Sequence, residues 1–196
     1  MTNLFLHHRP LPPGARALFL DRDGVINVDT GYVCDPQTVA LVPGAAQLIA
    51  AANARKLPAI VVTNQSALSR GLADLATLIA VQMQVEALLH AEAGACLDAV
   101  FICCASSDGQ GACEGAWRKP APGMFLAARR LLGVDLANST IIGDKPSDIE
   151  AAAAAGLHSG ILLESRYGAD PNISREFMLK RARDMFEVLE ILSRHN

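Results

Sequence analysis

Aromatic residues are scarce, 5% of 196 positions with a single tryptophan, which argues against a surface built to stack nucleobases. Positive charge is not in excess either. Seventeen Lys and Arg stand against twenty Asp and Glu, a formal charge of −3, so the chain has no electrostatic footprint for nucleic acid but keeps room for a local basic pocket. No uncharged apolar run reaches the roughly 18 residues a membrane-spanning helix needs, and Ala151–Ala155 is far too short. The five cysteines, at 34, 96, 103, 104 and 113, are odd in number and lack the spacing of a disulfide framework. The opening residues carry His7, His8, Arg9 and three prolines without the apolar core of a signal peptide. The expectation is a soluble, cytoplasmic, monomeric protein in a reducing setting, with no nucleic-acid or membrane partner.

Hydrophobic residues make up 51% of the chain, enough for a sizeable core, which sets aside disordered, collagen-like and coiled-coil classes. The length fits one domain, and there is no internal repeat, low-complexity linker or shift in composition. Residues 1–16 read as a leader and 17–196 as a single domain. Short apolar runs at 17–20, 59–63, 99–103, 140–143 and 160–163 are bounded like buried parallel strands. Helical patterns lie between them, from Pro43-Gly44 to about Lys56, from Asp74 to Ala93, and over 123–132 and 147–155. A last helix is expected over 174–193, after Pro171-Asn172, with Ser174 as its cap. This alternation predicts an α/β fold, a doubly wound and mainly parallel sheet sandwiched by helices.

In such folds ligands bind outside the carboxyl ends of the strands. Four of those ends are polar: Asp21-Arg22-Asp23-Gly24, Thr63-Asn64-Gln65-Ser66, Arg118-Lys119-Pro120 and Gly143-Asp144-Lys145-Pro146. Asp21 and Asp23 are two apart, so extended chain can turn both carboxylates to one side. Close carboxylates repel unless a cation or proton lies between them. A hard divalent ion such as Mg²⁺ takes oxygen ligands and leaves positions open for phosphate and water. Asp21, Asp23 and Asp144 are the expected metal group. Asp148 lies one helical turn beyond Asp144; it either pairs with Lys145 or Lys119 or merely favours the positive end of a helix.

The ordered set Asp21-Arg22-Asp23-Gly24-Val25-Ile26-Asn27, Thr63, Lys119 and Gly143-Asp144-Lys145 resembles the four motifs of the haloacid dehalogenase superfamily. The longer matches Asn27–Val33, Thr63–Ser66, Ser69-Arg70-Gly71 and Arg118–Met124 resemble its heptose bisphosphate phosphatases and their histidinol-phosphate phosphatase relatives. The resemblance covers about Ala17 to Gly156 and implies the haloacid dehalogenase-like fold without a large cap domain. It also implies Asp21 as nucleophile, Asp23 as general acid and then base, and Thr63 and Lys119 on the transferring phosphoryl group. Asp23 would reach the metal through its backbone carbonyl. Asp29, Gly31, Tyr32, Asn64, Gln65, Ser66, Arg70, Arg118 and Lys145 fall at substrate-binding positions. Arg118 offers a donor fork for a second phosphate.

The implied reaction is Mg²⁺-dependent removal of the 7-phosphate of D-glycero-D-manno-heptose 1,7-bisphosphate, with histidinol phosphate or another small phosphomonoester as the rival substrate. Family members commonly hold a structural zinc before Arg-Lys-Pro. Here the matching stretch has Cys103-Cys104-Ala105 and later Gly115-Ala116-Trp117; the usual ligand set is incomplete, which argues against zinc. Packing of Trp117 is the expected substitute. A non-catalytic phospholigand-binding module is the reading from another class, and it sits poorly with the presence of both Asp21 and Asp23.

Overall fold

The computed structural model describes residues 3–7, 9–106 and 117–194. In chain order its elements are β1 (Leu4–His7), β2 (Leu18–Leu20), α1 (Ala45–Ala54), β3 (Ala59–Asn64), α2 (Leu75–Ala93) and β4 (Ala99–Cys103). They continue with α3 (Gly123–Leu132), β5 (Thr140–Gly143), α4 (Pro146–Ala155), β6 (Ser159–Leu163), β7 (Met178–Ala182) and α5 (Met185–Ser193). One sheet of seven strands runs in the order β1-β4-β3-β2-β5-β6-β7. Every pairing is parallel except that of β1 with β4. Among the described residues no helix is long and apolar enough to cross a membrane.

The two-residue period of a strand explains the layers. Leu18 and Leu20 face an apolar cluster with Leu48 of α1, Val85 of α2 and Val188 of α5. Phe19, between them, faces the opposite cluster with Phe125 of α3 and Ile149 of α4. Both faces of the sheet are thus covered, and β2, buried on both, reads as an unbroken apolar run. From β2 the chain passes to β3 on one side, whereas β5 lies on the other. The order therefore reverses at β2, and a crevice opens where β2 and β5 end.

Two expectations change. Leu4–His7, inside the stretch read as a leader, is an edge strand whose Leu4 and Leu6 pack on one cluster and Phe5 on the other. Phe5 stacks on Phe101 with ring centroids 4.6 Å apart. The expected helix over 174–193 is divided. Its first half forms β7 along β6, and α5 starts only after Asp184, whose side chain accepts from the Glu187 N–H. Pairing along the open edge of β6, with Phe177 and Leu179 packed on the core, outweighs the local helix preference of 178–182. The Asp184-x-x-Glu187 spacing is the legible start signal for the shorter helix.

Candidate active site

Asp21 leaves β2 buried, its N–H bonded to the Ile142 carbonyl of neighbouring β5. That bond sets the start of its loop beside Asp144, the residue after β5. Gly24 makes the approach possible. Its φ is +89°, and a Cβ added there would stand 2.4 Å from Asp144 Oδ2, closer than any side chain tolerates. Gly143 serves α4 in the same way, since a Cβ there would lie 2.4 Å from the Asp148 Cβ. Asp21, Asp144 and Asp148 are all buried, and each offers an oxygen within 4.8 Å of the others.

Lys119 is the counter-ion. Its Nζ lies 2.9 Å from Asp21 Oδ1 and 2.7 Å from Asp148 Oδ1, and donates to the Val62 carbonyl at 2.8 Å. Burial pulls its ammonium down, but Asp148 and Asp21 outweigh this and hold it above the ordinary lysine value. Burial pushes the Asp21 carboxyl up, against the pull of Lys119. The other oxygen of Asp148 accepts from the Lys145 N–H at 3.0 Å and caps α4. Both readings of Asp148 therefore hold: it orients Lys119 and it serves the helix N-terminus.

The carboxylate of Asp23 stands outside this group, and Asp148 takes the third place expected for it. The cause is local competition. Asp23 Oδ1 accepts from Arg22 Nε at 3.2 Å and from Asn27 Nδ2 at 2.8 Å, and Oδ2 accepts from Gln65 Nε2 at 2.6 Å. Gln65 Nε2 also donates to Thr63 Oγ1 at 2.9 Å, so Gln65 ties Thr63 to Asp23. Asn64 clamps the backbone of Lys119 from both sides, accepting from its N–H at 3.1 Å and donating to its carbonyl at 3.2 Å. Arg118 is turned to its own loop, where Nη1 donates to the Ala105 carbonyl at 2.7 Å.

Asp29 and Lys145 meet at 3.4 Å, and Gly31 donates its N–H to Asp29 Oδ1 at 2.9 Å. Tyr32 is exposed. Ser66 and Arg70 lie on the turn after β3, where the Arg70 N–H donates to the Ser66 carbonyl. Trp117 packs half-buried with its ring 5.8 Å from Phe101. Cys103 and Cys104 are buried at the end of β4. Cys113, Gly115 and Ala116, on which the zinc argument partly turns, lie outside the described residues.

Residues 11–156 match the haloacid dehalogenase-like hydrolases. The chain belongs to that family. A D-glycero-beta-D-manno-heptose-1,7-bisphosphate 7-phosphatase of Mesorhizobium japonicum is 39% identical over 188 residues, covering 94% of this chain and 84% of that protein. A D-glycero-alpha-D-manno-heptose-1,7-bisphosphate 7-phosphatase of Burkholderia mallei is 36% identical, with coverage of 89% and 93%. The crystal structure of a D,D-heptose 1,7-bisphosphate phosphatase from B. bronchiseptica, complexed with magnesium and phosphate, aligns with TM-score 0.81 and 33% identity. It covers 92% of this chain and 99% of that one.

Within this haloacid dehalogenase-like frame, the residues missed in sequence are those that orient rather than react. Asn27 stands in the quoted motif, yet its amide is seen only in structure to hold Asp23. Ser165, Arg166 and Tyr167 follow β6, a fifth strand end on the same edge of the sheet, and that placement was the available signal. Ser165 Oγ donates to the Asp144 carbonyl at 2.5 Å.

The acidic group suits a hard cation. Asp144 Oδ1 is buried without a hydrogen-bond partner, its nearest ammonium being that of Lys145 at 3.9 Å. Burial, then repulsion from Asp21, raises the Asp144 carboxyl to about 7. Its folded value thus lies above its unfolded value, so the metal-free protein loses stability as pH climbs from about 4 to about 7. A melting temperature several degrees lower at pH 8 than at pH 5 is expected, with Mg²⁺ flattening the slope; thermal denaturation with and without Mg²⁺ checks it.

Gly24→Ala tests the cradle. The new methyl meets Asp144 Oδ2 in a backbone conformation that L-residues rarely adopt. Misplacing Asp144 by about an ångström should lower kcat/KM by on the order of 10²-fold, and calorimetric titration should show weaker Mg²⁺ binding.

Proposed function

We propose that the protein is a Mg²⁺-dependent phosphatase that removes the 7-phosphate of D-glycero-D-manno-heptose 1,7-bisphosphate through an aspartyl-phosphate on Asp21. The observation that carries the reading is the buried Asp21–Lys119–Asp148 chain beside an Asp144 oxygen with no partner. It receives support from relatives of that name that align along most of the chain. The side chains of Asp21 and Asp144 and the backbone carbonyl of Asp23 would hold the ion. Bound there, Mg²⁺ supplies positive charge against that of the phosphate.

The protein's own groups account for the remaining chemistry. A carboxylate oxygen of Asp21 forms a bond to phosphorus as the bond to the sugar oxygen breaks. Asp23, held by Arg22, Asn27 and Gln65, gives its proton to that departing oxygen. It then takes a proton from water, which attacks phosphorus, releases phosphate and restores Asp21. Thr63 accepts from Gln65, so its own O–H is left to donate to a phosphoryl oxygen. Lys119, already charged and desolvated, stabilises the developing charge without moving. The reading carries with it a cytoplasmic monomer.

The test is a phosphate-release panel of both heptose 1,7-bisphosphate anomers, histidinol phosphate and common hexose phosphates. The expected result is turnover of a heptose bisphosphate that stops with a chelator and returns with Mg²⁺. A preference for histidinol phosphate would move the assignment to that substrate. Absence of turnover across the panel, with phosphate still bound, would leave the binding-module reading.

A further inference from the structure

Beyond the reacting carboxylates, three donors from two elements converge on one oxygen. Asp29 Oδ2 accepts from Lys145 Nζ at 3.4 Å, from Arg166 Nη2 at 3.2 Å and from Tyr167 O–H at 3.1 Å. The Tyr167 ring backs both cations, with Lys145 Nζ 4.8 Å and the Arg166 guanidinium carbon 5.1 Å from its centroid. Two cations on one carboxylate leave a net positive charge. Burial works to raise the Asp29 carboxyl, but the Gly31 N–H and Lys145 outweigh this and keep it ionised. Lys145 links this cluster to the reaction centre through its 3.9 Å approach to Asp144.

Arg166 is well suited to receive a ligand. Its side chain is 63% exposed. Its contacts with Asp29 and Tyr167 both use Nη2, so most of a five-donor fork remains for a planar or tetrahedral anion. Arg118, the sequence-level candidate for that task, is committed to the Ala105 carbonyl.

We propose that Arg166, Tyr167 and Lys145 form the subsite for the substrate phosphate that is not cleaved, with Asp29 holding the donors in place until the anion arrives. This rests on the bisphosphate reading above. The loop after β6, rather than the Arg-Lys-Pro turn, then sets the preference for a doubly phosphorylated sugar.

The test compares kcat/KM of the full-length Mg²⁺-loaded protein on heptose 1,7-bisphosphate and heptose 7-phosphate. The parent should prefer the bisphosphate. In Arg166→Met the ratio of the two should fall by about 10- to 100-fold, mainly through KM, as one charge-assisted pair is lost. Arg166→Lys should restore part of it, keeping charge but not the fork, and Tyr167→Phe should lower it less. Arg130→Ala, on the exposed side of α3, is the control with an unchanged ratio. An unaltered ratio in Arg166→Met, or a parent indifferent to the second phosphate, would overturn the subsite and leave the phosphatase reading standing. A parent that hydrolyses neither sugar phosphate would overturn both.

Discussion

Asp21→Asn is expected to abolish multiple-turnover phosphate release, with a loss on the order of 10⁴-fold or more, in a protein that folds normally. The amide keeps the shape of the carboxylate but has no oxygen that can form a stable bond to phosphorus. The change differs from a structural lesion in its sign on stability. Burial holds the Asp21 carboxyl above its ordinary value, so the ionised group is less comfortable folded than unfolded. Replacing it with a neutral amide relieves that cost. Without metal, the variant should melt at or above the temperature of the parent. A phosphate-release assay beside a thermal melt checks both halves, and activity near the parent rate would remove Asp21 from its role.

Lys119→Met should have the opposite signature, losing activity and stability together. The Lys119 side chain is 1% exposed and faces Asp21 and Asp148. Methionine fills similar volume but leaves both carboxylates without their cation and the Val62 carbonyl without its donor. Removing one partner of a buried ion pair costs about 3–5 kcal/mol. The three acids would then share a proton near neutrality, and stability should fall more steeply with rising pH than in the parent. Mg²⁺ should recover part of the stability and little of the activity, because the ion replaces charge but not the donor aimed at the phosphoryl group. Urea denaturation at pH 5 and pH 8, with and without Mg²⁺, separates these effects. A variant as stable as its parent at pH 8 would contradict the counter-ion role.

Much of this site was legible because each motif is local and each sits at the end of a short apolar run. A parallel sheet brings such ends to one edge, so Asp21, Thr63, Lys119 and Asp144 could be gathered on paper before any distance was known. The same logic failed where partners lie far apart in the chain. Asn64 and Gln65 belong to a polar strand end, yet Asn64 holds the Lys119 backbone 55 residues away and Gln65 holds Asp23 across 42. Both were read as substrate contacts, since a polar side chain at a strand end gives no sign of which partner claims it.

Composition and periodicity by themselves determined the layered α/β class, the central strands and the ordered acidic and basic strand ends, all of which depend on neighbours within a few residues. Tertiary structure alone decided that Asp148, not the Asp23 side chain, joins Asp21 and Asp144. It also decided that Leu4–His7 and Met178–Ala182 close the two edges of the sheet, and that Arg166 and Tyr167 meet Asp29. The physical reason is competition for partners. Burial forces every charge and backbone donor to find one, and the winner is set by which loops the fold brings within about 3 Å of each other.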